Sequence, residues 1–89
     1  MTNNAPVTEV RDGLLRIAIF KNDPKEEGGR PSFPGKASRS YQDSEDQWKE
    51  TNSYTGTEHL RMARLHLQAY DAEMALRAAA KADNAGSQS

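Results

Sequence analysis

A stretch of 26 residues near the carboxyl end of the chain has the composition of a single long helix. Residues 57–82 read "TEHLRMARLHLQAYDAEMALRAAAKA", which contains neither Gly nor Pro and is rich in Ala, Leu, Met and Arg. These residue types have the highest helix propensities. Thr55 and Thr57 lie where an N-cap is expected. The sequence therefore predicts one helix over residues 57–82, against which the rest of the chain must pack.

This helix would carry two apolar stripes on nearly opposite sides. The first consists of Leu60, Ala63, Leu67, Tyr70 and Met74. The second consists of Met62, Leu65, Ala69, Ala72 and Leu76. Because no second helix is expected in the chain, one stripe should cover a sheet, and we assign the second stripe to a homodimer interface with another copy. The alternative is that the Ala-rich second stripe is simply exposed.

The residues before the helix predict four strands. Asp12-Gly13 is a preferred hairpin-turn pair, and it separates strands expected at 7–11 and 14–22. Leu15, Ile17 and Ile19 alternate with less apolar residues and form the better core candidate. Three prolines and three glycines in "NDPKEEGGRPSFPG" indicate a loop over 23–35, followed by strands at about 36–43 and 47–54.

These elements predict an α+β fold, a four-stranded antiparallel sheet followed by one long C-terminal helix (ββββα). The chain of 89 residues has room for a single small domain, which we place at residues 7–82. Residues 1–6 and 83–89 are expected to be disordered.

The segment "RSYQDSEDQWKETNSY" contains three aromatic residues and no aliphatic one. If the turn has an even number of residues, one face of the hairpin carries Arg39, Tyr41, Trp48, Glu50 and Tyr54. The rings then either line the core under the helix or offer a surface for stacking. We favour the core, because the two strands have no other large residues with which to cover a helix.

The composition limits the classes of function. There are no cysteines, which excludes disulfides and thiol chemistry, and the net charge of −1 argues against a strong overall basic field. No apolar run approaches the roughly 18 residues that span a bilayer, and the start lacks the pattern of a signal peptide. We expect a cytoplasmic protein without membrane contact.

No catalytic constellation is visible in the sequence. His59, His66 and Glu73 share one helix face, but the two histidines lie about 10 Å apart along the axis, too far to bind one metal ion. No nucleophile and base are adjacent. We therefore predict a protein that is not an enzyme and that has no cofactor and no metal.

Several motifs carry a resemblance to a known fold. "GLLRIAIFKN", "RSYQD", "QWKETNSY" and "HLRMARLHLQAYD", in this order, resemble small bacterial and mobile-element proteins. The layout over residues 10 to 72 is similar to the single-stranded DNA-binding fold of the transcriptional positive cofactor four and Whirly type. The resemblance implies a curved antiparallel sheet, a helix-mediated homodimer and single strands lying across the sheet. The positions that match its basic and aromatic contacts are Arg16, Phe20, Lys21, Lys36, Arg39, Trp48 and Lys49.

Two functional hypotheses follow. The first is a single-stranded nucleic-acid binder, for DNA or RNA, without strong sequence preference and acting in transcription or DNA metabolism. Its support is the combination of rings for base stacking with cations for phosphates. The second is a small protein-interaction module, such as a regulator or inhibitor, which the near-neutral charge favours.

Overall fold

The chain forms a four-stranded antiparallel sheet followed by one helix, as the sequence predicts. The computed structural model describes the backbone of residues 5–87 and the side chains of residues 5–81. The strands lie side by side in chain order: β1 (Thr8–Asp12), β2 (Leu15–Ile19), β3 (Gly35–Gln42) and β4 (Trp48–Thr51). Helix α1 spans Thr57–Ser87.

The first hairpin closes in a two-residue turn. Asp12 pairs with Leu15, so Gly13 and Leu14 form the turn, one residue later than the expected Asp12-Gly13 pair. Gly13 has φ +62, whereas neither Asp12 nor Leu14 has a positive φ. This pattern fits a type II′ turn, which requires a positive φ only at its first central residue.

The β2–β3 ladder continues beyond the ends of both strands. Ile19 pairs with Gly35, the Phe20 N–H donates to the Pro34 carbonyl at 2.9 Å, and Asn22 bridges Ser32 in the same register. Pro34 fits because it serves here as an acceptor and no N–H is required of it. The expected loop over 23–35 is therefore shorter, since pairing resumes at Ser32.

The second hairpin has a five-residue connection, residues 43–47. The Asp43 side chain accepts hydrogen bonds from the backbone N–H groups of Gln47 and Glu45, which hold the pKa of Asp43 below its ordinary value. Asp46 has φ +62, as in a type I turn followed by a left-handed residue. The odd length overturns the even-length assumption and with it the expected grouping of side chains on the two faces.

The core lies between the helix and the first hairpin. Leu15, Ile17 and Ile19 are almost fully buried, as the alternation predicts. Their buried partners are Phe33 from the loop and three residues of the helix, Met62, Leu65 and Ala69. Helix α1 packs mainly on β1 and β2.

The two helical stripes have the opposite roles from those expected. Met62, Leu65 and Ala69 pack on the sheet, and Ala72 and Leu76 lie against the same core. The assignment of these five residues to a dimer interface is therefore wrong.

Two ion pairs at the start of the helix accompany this orientation. Arg61 donates through Nε and Nη2 to both carboxylate oxygens of Asp12, at 2.9 and 2.8 Å, and this bonding holds the pKa of Asp12 below its ordinary value. Glu58 Oε1 lies 3.3 Å from Nε of Arg39 and accepts the Thr55 N–H, as in a capping box. Glu58 and Arg61 lie on the Met62–Leu65 side of the helix, so both pairs agree with the packing of that side on the sheet.

The helix is longer than predicted. It continues to Ser87, five residues beyond 82, so the expectation of a disordered tail does not hold for residues 83–87. Asn84 and Gly86 are weak helix formers, but the Ala-rich segment before them contains no Pro to end the helix. The remaining parts of that expectation, at residues 1–4 and 88–89, lie outside the described residues. Within the part of the chain that the structure describes, no helix combines the length and the apolar composition needed to cross a bilayer.

Candidate nucleic-acid interface

One side of the sheet faces away from the helix, and we call it the open face. Because Leu15, Ile17 and Ile19 point to the helix, the alternate residues Arg16 and Ala18 point away from it. The strand register places the rest of this face: Glu9 and Arg11 on β1, Lys36, Ser38, Ser40 and Gln42 on β3, and Trp48 and Glu50 on β4. Phe20 continues the alternation in the extended β2–β3 ladder.

Arg16 lies near the middle of the open face between two carboxylates. Its guanidinium is 3.4 Å from Glu9 Oε2 and 3.8 Å from Glu50 Oε1. Glu9 also pairs with Arg11 at 2.6 Å. The Nε of Arg16 is buried and has no hydrogen-bond partner, although about a third of the side chain is exposed. Arg16 therefore pairs with two carboxylates while one of its donors remains without a partner.

Lys36 is the freest cation on the open face. It lies opposite Ala18, its side chain is exposed, and it makes no ion pair with any described residue. Ser38 and Ser40 follow on the same strand and add hydroxyl groups. A row of donors thus runs along β3 next to Arg16.

The two rings of the open face lie near its opposite ends. Trp48 pairs with Gln42 and is 61% exposed, whereas Phe20 lies across from Pro34 and is half-buried. Pro34 and Gln42 are eight positions apart in the chain, which corresponds to about 26 Å along the strand. Between the rings lie the cations and hydroxyls, an order that suits an extended chain with alternating bases and phosphates.

Three of the seven predicted contact residues lie elsewhere. Arg39 is on the helix side, where its Nε donates to the Ser53 carbonyl at 3.1 Å and pairs with Glu58. Lys49 pairs with Asp43 at 3.1 Å on the same side, and Lys21 lies 3.9 Å from Asp23 beside a cleft of about 450 Å³ between the loop and the helix. These three therefore do not share the open face with Arg16, Phe20, Lys36 and Trp48. The position of Arg39 follows from its pairing with Leu15, whereas Lys49 lies on the helix side because the five-residue turn changes which β4 residues share a face with those of β3.

The aromatic residues of the second hairpin divide between the two sides of the sheet. Tyr54 is half-buried against the core, and burial raises the pKa of its hydroxyl while the nearby Arg39 partly opposes the rise. Tyr41 is also on the helix side, with the Arg39 guanidinium 5.9 Å from its ring centroid. Only Trp48 points outward. The core interpretation therefore holds for Tyr54, and the stacking interpretation is open only for Trp48.

Sequence reasoning missed two residues of the open face, Arg11 and Gln42, which belong to it by register. Arg11 could have been found from the parity of β2, since it lies opposite Arg16. The described residues contain no cluster of three or more His, Asp or Glu side chains that could hold a metal ion.

Comparisons with protein-family models, with curated proteins and with solved structures gave no significant match. A functional assignment therefore depends on the chemistry of the open face.

Proposed function

We propose that the open face binds single-stranded nucleic acid, in the first place DNA, without strong sequence preference. The observation that carries this proposal is an exposed ring, Trp48, on an uncovered face that also presents Arg11, Arg16 and Lys36. Stacking of a base on an aromatic ring contributes about 1–3 kcal/mol and tolerates any base. The cations supply the phosphate contacts.

The hydroxyl row supports a backbone contact rather than recognition of base edges. Ser38 and Ser40 can each donate to a phosphate oxygen, and Lys36 lies two residues before them on the same strand. Phosphate and stacking contacts carry little sequence information. The expected preference is therefore for single strands over duplexes, with small differences between base compositions.

The carboxylates of the open face make the expected affinity modest. In the structure, Glu50 Oε1 lies 3.8 Å from Nη2 of Arg16. In the proposed complex a phosphate takes the place of Glu50 beside Arg16. Glu50 then repels the incoming backbone. At about 4 Å in water, two unit charges interact by about 1 kcal/mol. Replacement of Glu50 by Gln should accordingly tighten binding about fivefold, whereas Glu45→Gln in the turn is the matched control without effect.

The direct experiment uses the only tryptophan of the chain as its own probe. Oligo(dT) is titrated into the protein while Trp48 fluorescence is followed, and the titration is repeated at several salt concentrations. The proposal expects saturable quenching whose affinity falls linearly with the logarithm of salt concentration. Absence of saturable, salt-sensitive quenching at micromolar protein would reject it. A parallel titration with oligo(U) decides between DNA and RNA.

A second candidate function is a protein-interaction module, favoured by the mixed charges of the same face. Glu9 and Glu50 alternate with Arg11 and Arg16, which is a pattern that complements another mixed-charge surface. A negative oligonucleotide titration would favour this candidate.

A further inference from the structure

The side of the helix that faces away from the sheet carries an apolar stripe. Leu60 is 74% exposed, Leu67 69% and Tyr70 58%. With Ala63 and Met74 these residues form what we call the outer stripe. It is the stripe that was expected to cover the sheet. In the structure its first four residues face solvent, and Met74 is half-buried beside residues 31–33 of the loop.

The spacing of the outer stripe is that of a coiled-coil seam. Positions 60, 63, 67, 70 and 74 alternate steps of three and four residues over two heptads. An apolar heptad of this kind is the pattern by which two helices pack against each other. The outer stripe does not pack on the sheet, because Met62, Leu65 and Ala69 make those contacts.

The charges beside the outer stripe complement a second copy in one orientation. Arg64 and Asp71 lie on the same flank, seven residues or about 10 Å apart, and neither forms an ion pair with a described residue. If two helices run antiparallel with their midpoint between Gln68 and Ala69, Arg64 of each copy lies beside Asp71 of the other. On the other flank, His66 of each copy lies beside Glu73 of the other.

A parallel arrangement would lack this complementarity. It would bring Arg77 next to Arg77 of the second copy, and Lys81 next to Lys81, on the seam itself. Arg64 would lie beside His59 rather than Asp71. Like charges at such positions disfavour pairing.

We propose that the outer stripe pairs with the same stripe of a second copy of this chain, with the two helices antiparallel. Leu67 of one copy then packs against Tyr70 of the other, and Ala63 against Met74. The two open faces point away from the interface, so this pairing does not depend on the proposed nucleic-acid binding and does not obstruct it.

The first test is the mass in solution. Light scattering on the full chain at about 100 μM should give the mass of two chains, and Leu67→Glu should give one. The matched control is Leu14→Glu, which changes a leucine that is 51% exposed in the β1–β2 turn and should leave the mass unchanged. A single-chain mass for the unmodified protein, or an unchanged mass for Leu67→Glu, would overturn the proposal. Because Leu67 is 69% exposed, the variant is expected to keep its circular dichroism spectrum.

A charge exchange tests the orientation without touching an apolar residue. Arg64→Glu and Asp71→Arg should each weaken association severalfold, and the double variant should restore it. If the double variant associates as weakly as the two single effects added together predict, the antiparallel register is contradicted.

Cysteine cross-linking gives an independent answer, since the chain has no native cysteine. In the antiparallel register the two copies of position 63 lie about 16 Å apart along the axis, too far for a disulfide. Ala63→Cys alone should stay uncrosslinked under oxidation, whereas an equal mixture of Ala63→Cys and Met74→Cys should yield a mixed disulfide. Efficient self-linking of Ala63→Cys would show a parallel pair and refute the proposed orientation.

Discussion

The two hairpins of the sheet are stabilised by different forces. The first hairpin contributes Leu15, Ile17 and Ile19 to a core covered by the helix. The second hairpin contains nothing aliphatic larger than Ala37, and it is held by polar contacts such as those of Asp43 and Arg39. In the first hairpin, burial therefore determines which side chains face the helix. In the second hairpin, the length of the turn determines it.

The largest expected effect is on stability in the first hairpin. Ile17→Ala removes buried methyl groups and leaves a cavity, so the free energy of unfolding should fall by about 2–5 kcal/mol. Thr51→Ala, on the helix side of β4, removes one hydrogen bond from the Ser53 N–H and should lower it by only about 0.5–1 kcal/mol. Urea denaturation measures both values. Similar losses in the two variants would mean that the second hairpin is packed as well as the first.

The next effect separates binding from stability within the second hairpin. Trp48→Ala should weaken oligo(dT) binding by about 1–3 kcal/mol, the contribution of one stacked base, with little change in the unfolding midpoint. Tyr54→Ala should lower the midpoint, because Tyr54 packs against the core, and should leave affinity unchanged. Fluorescence anisotropy of labelled oligo(dT) and thermal melting measure the two properties. The reverse outcome would place the interface on the helix side.

A smaller effect concerns the turn of the second hairpin, whose length determines which side chains share a face. Asp46 adopts φ +62, which glycine adopts at lower cost. Asp46→Gly should therefore raise the free energy of unfolding by about 0.5–1 kcal/mol. Glu45→Gly, at a neighbouring position without a positive φ, should lower it. A loss of stability in Asp46→Gly would contradict this description of the turn.

The smallest effect is a pH dependence at the contact between the first hairpin and the helix. The hydrogen bond from Arg61 lowers the pKa of Asp12 below 3.8 in the folded state. The contact therefore stabilises the fold above that pH, and its contribution is lost as the pH falls further. Asp12→Asn should reduce the loss of stability between pH 5 and pH 2, as followed by urea denaturation. In an Arg61→Ala background, Asp12→Asn should not change the dependence of stability on pH any further. If Asp12→Asn alone leaves this pH dependence unchanged, the Asp12–Arg61 contact is not its source.

The difference between the hairpins also explains how far the sequence could predict the structure. The alternation of Leu15, Ile17 and Ile19 identified the buried face of β2, because a strand packed on one side must segregate its apolar residues. The composition of residues 57–82 identified the helix. Both signals are local and need no knowledge of distant partners.

The incorrect predictions concern features that depend on one residue in the length of a turn or on contacts between residues far apart in the chain. One residue in the length of the turn decides whether Trp48 shares a face with Arg39, and the sequence "DSED" allows several turn lengths. The orientation of the helix depends on contacts with residues far away in the chain, such as that of Arg61 with Asp12, 49 residues apart, and the packing of Met62 and Leu65 on β2. Of the predicted contact residues, Arg16, Phe20, Lys36 and Trp48 share the open face, because three of them belong to the well-specified β2–β3 ladder or its continuation.

The central claim is that nucleic acid binds the open face and not the helix side, and a pair of lysines tests it most directly. Lys36 lies on the open face and Lys49 on the helix side. In a salt titration of oligo(dT) binding by anisotropy, Lys36→Gln should weaken binding and reduce the slope of log affinity against log salt by about 0.7, the value for one lost phosphate contact on a single strand. Lys49→Gln should leave both unchanged. Equal effects of the two changes, or an effect of Lys49→Gln alone, would contradict the account.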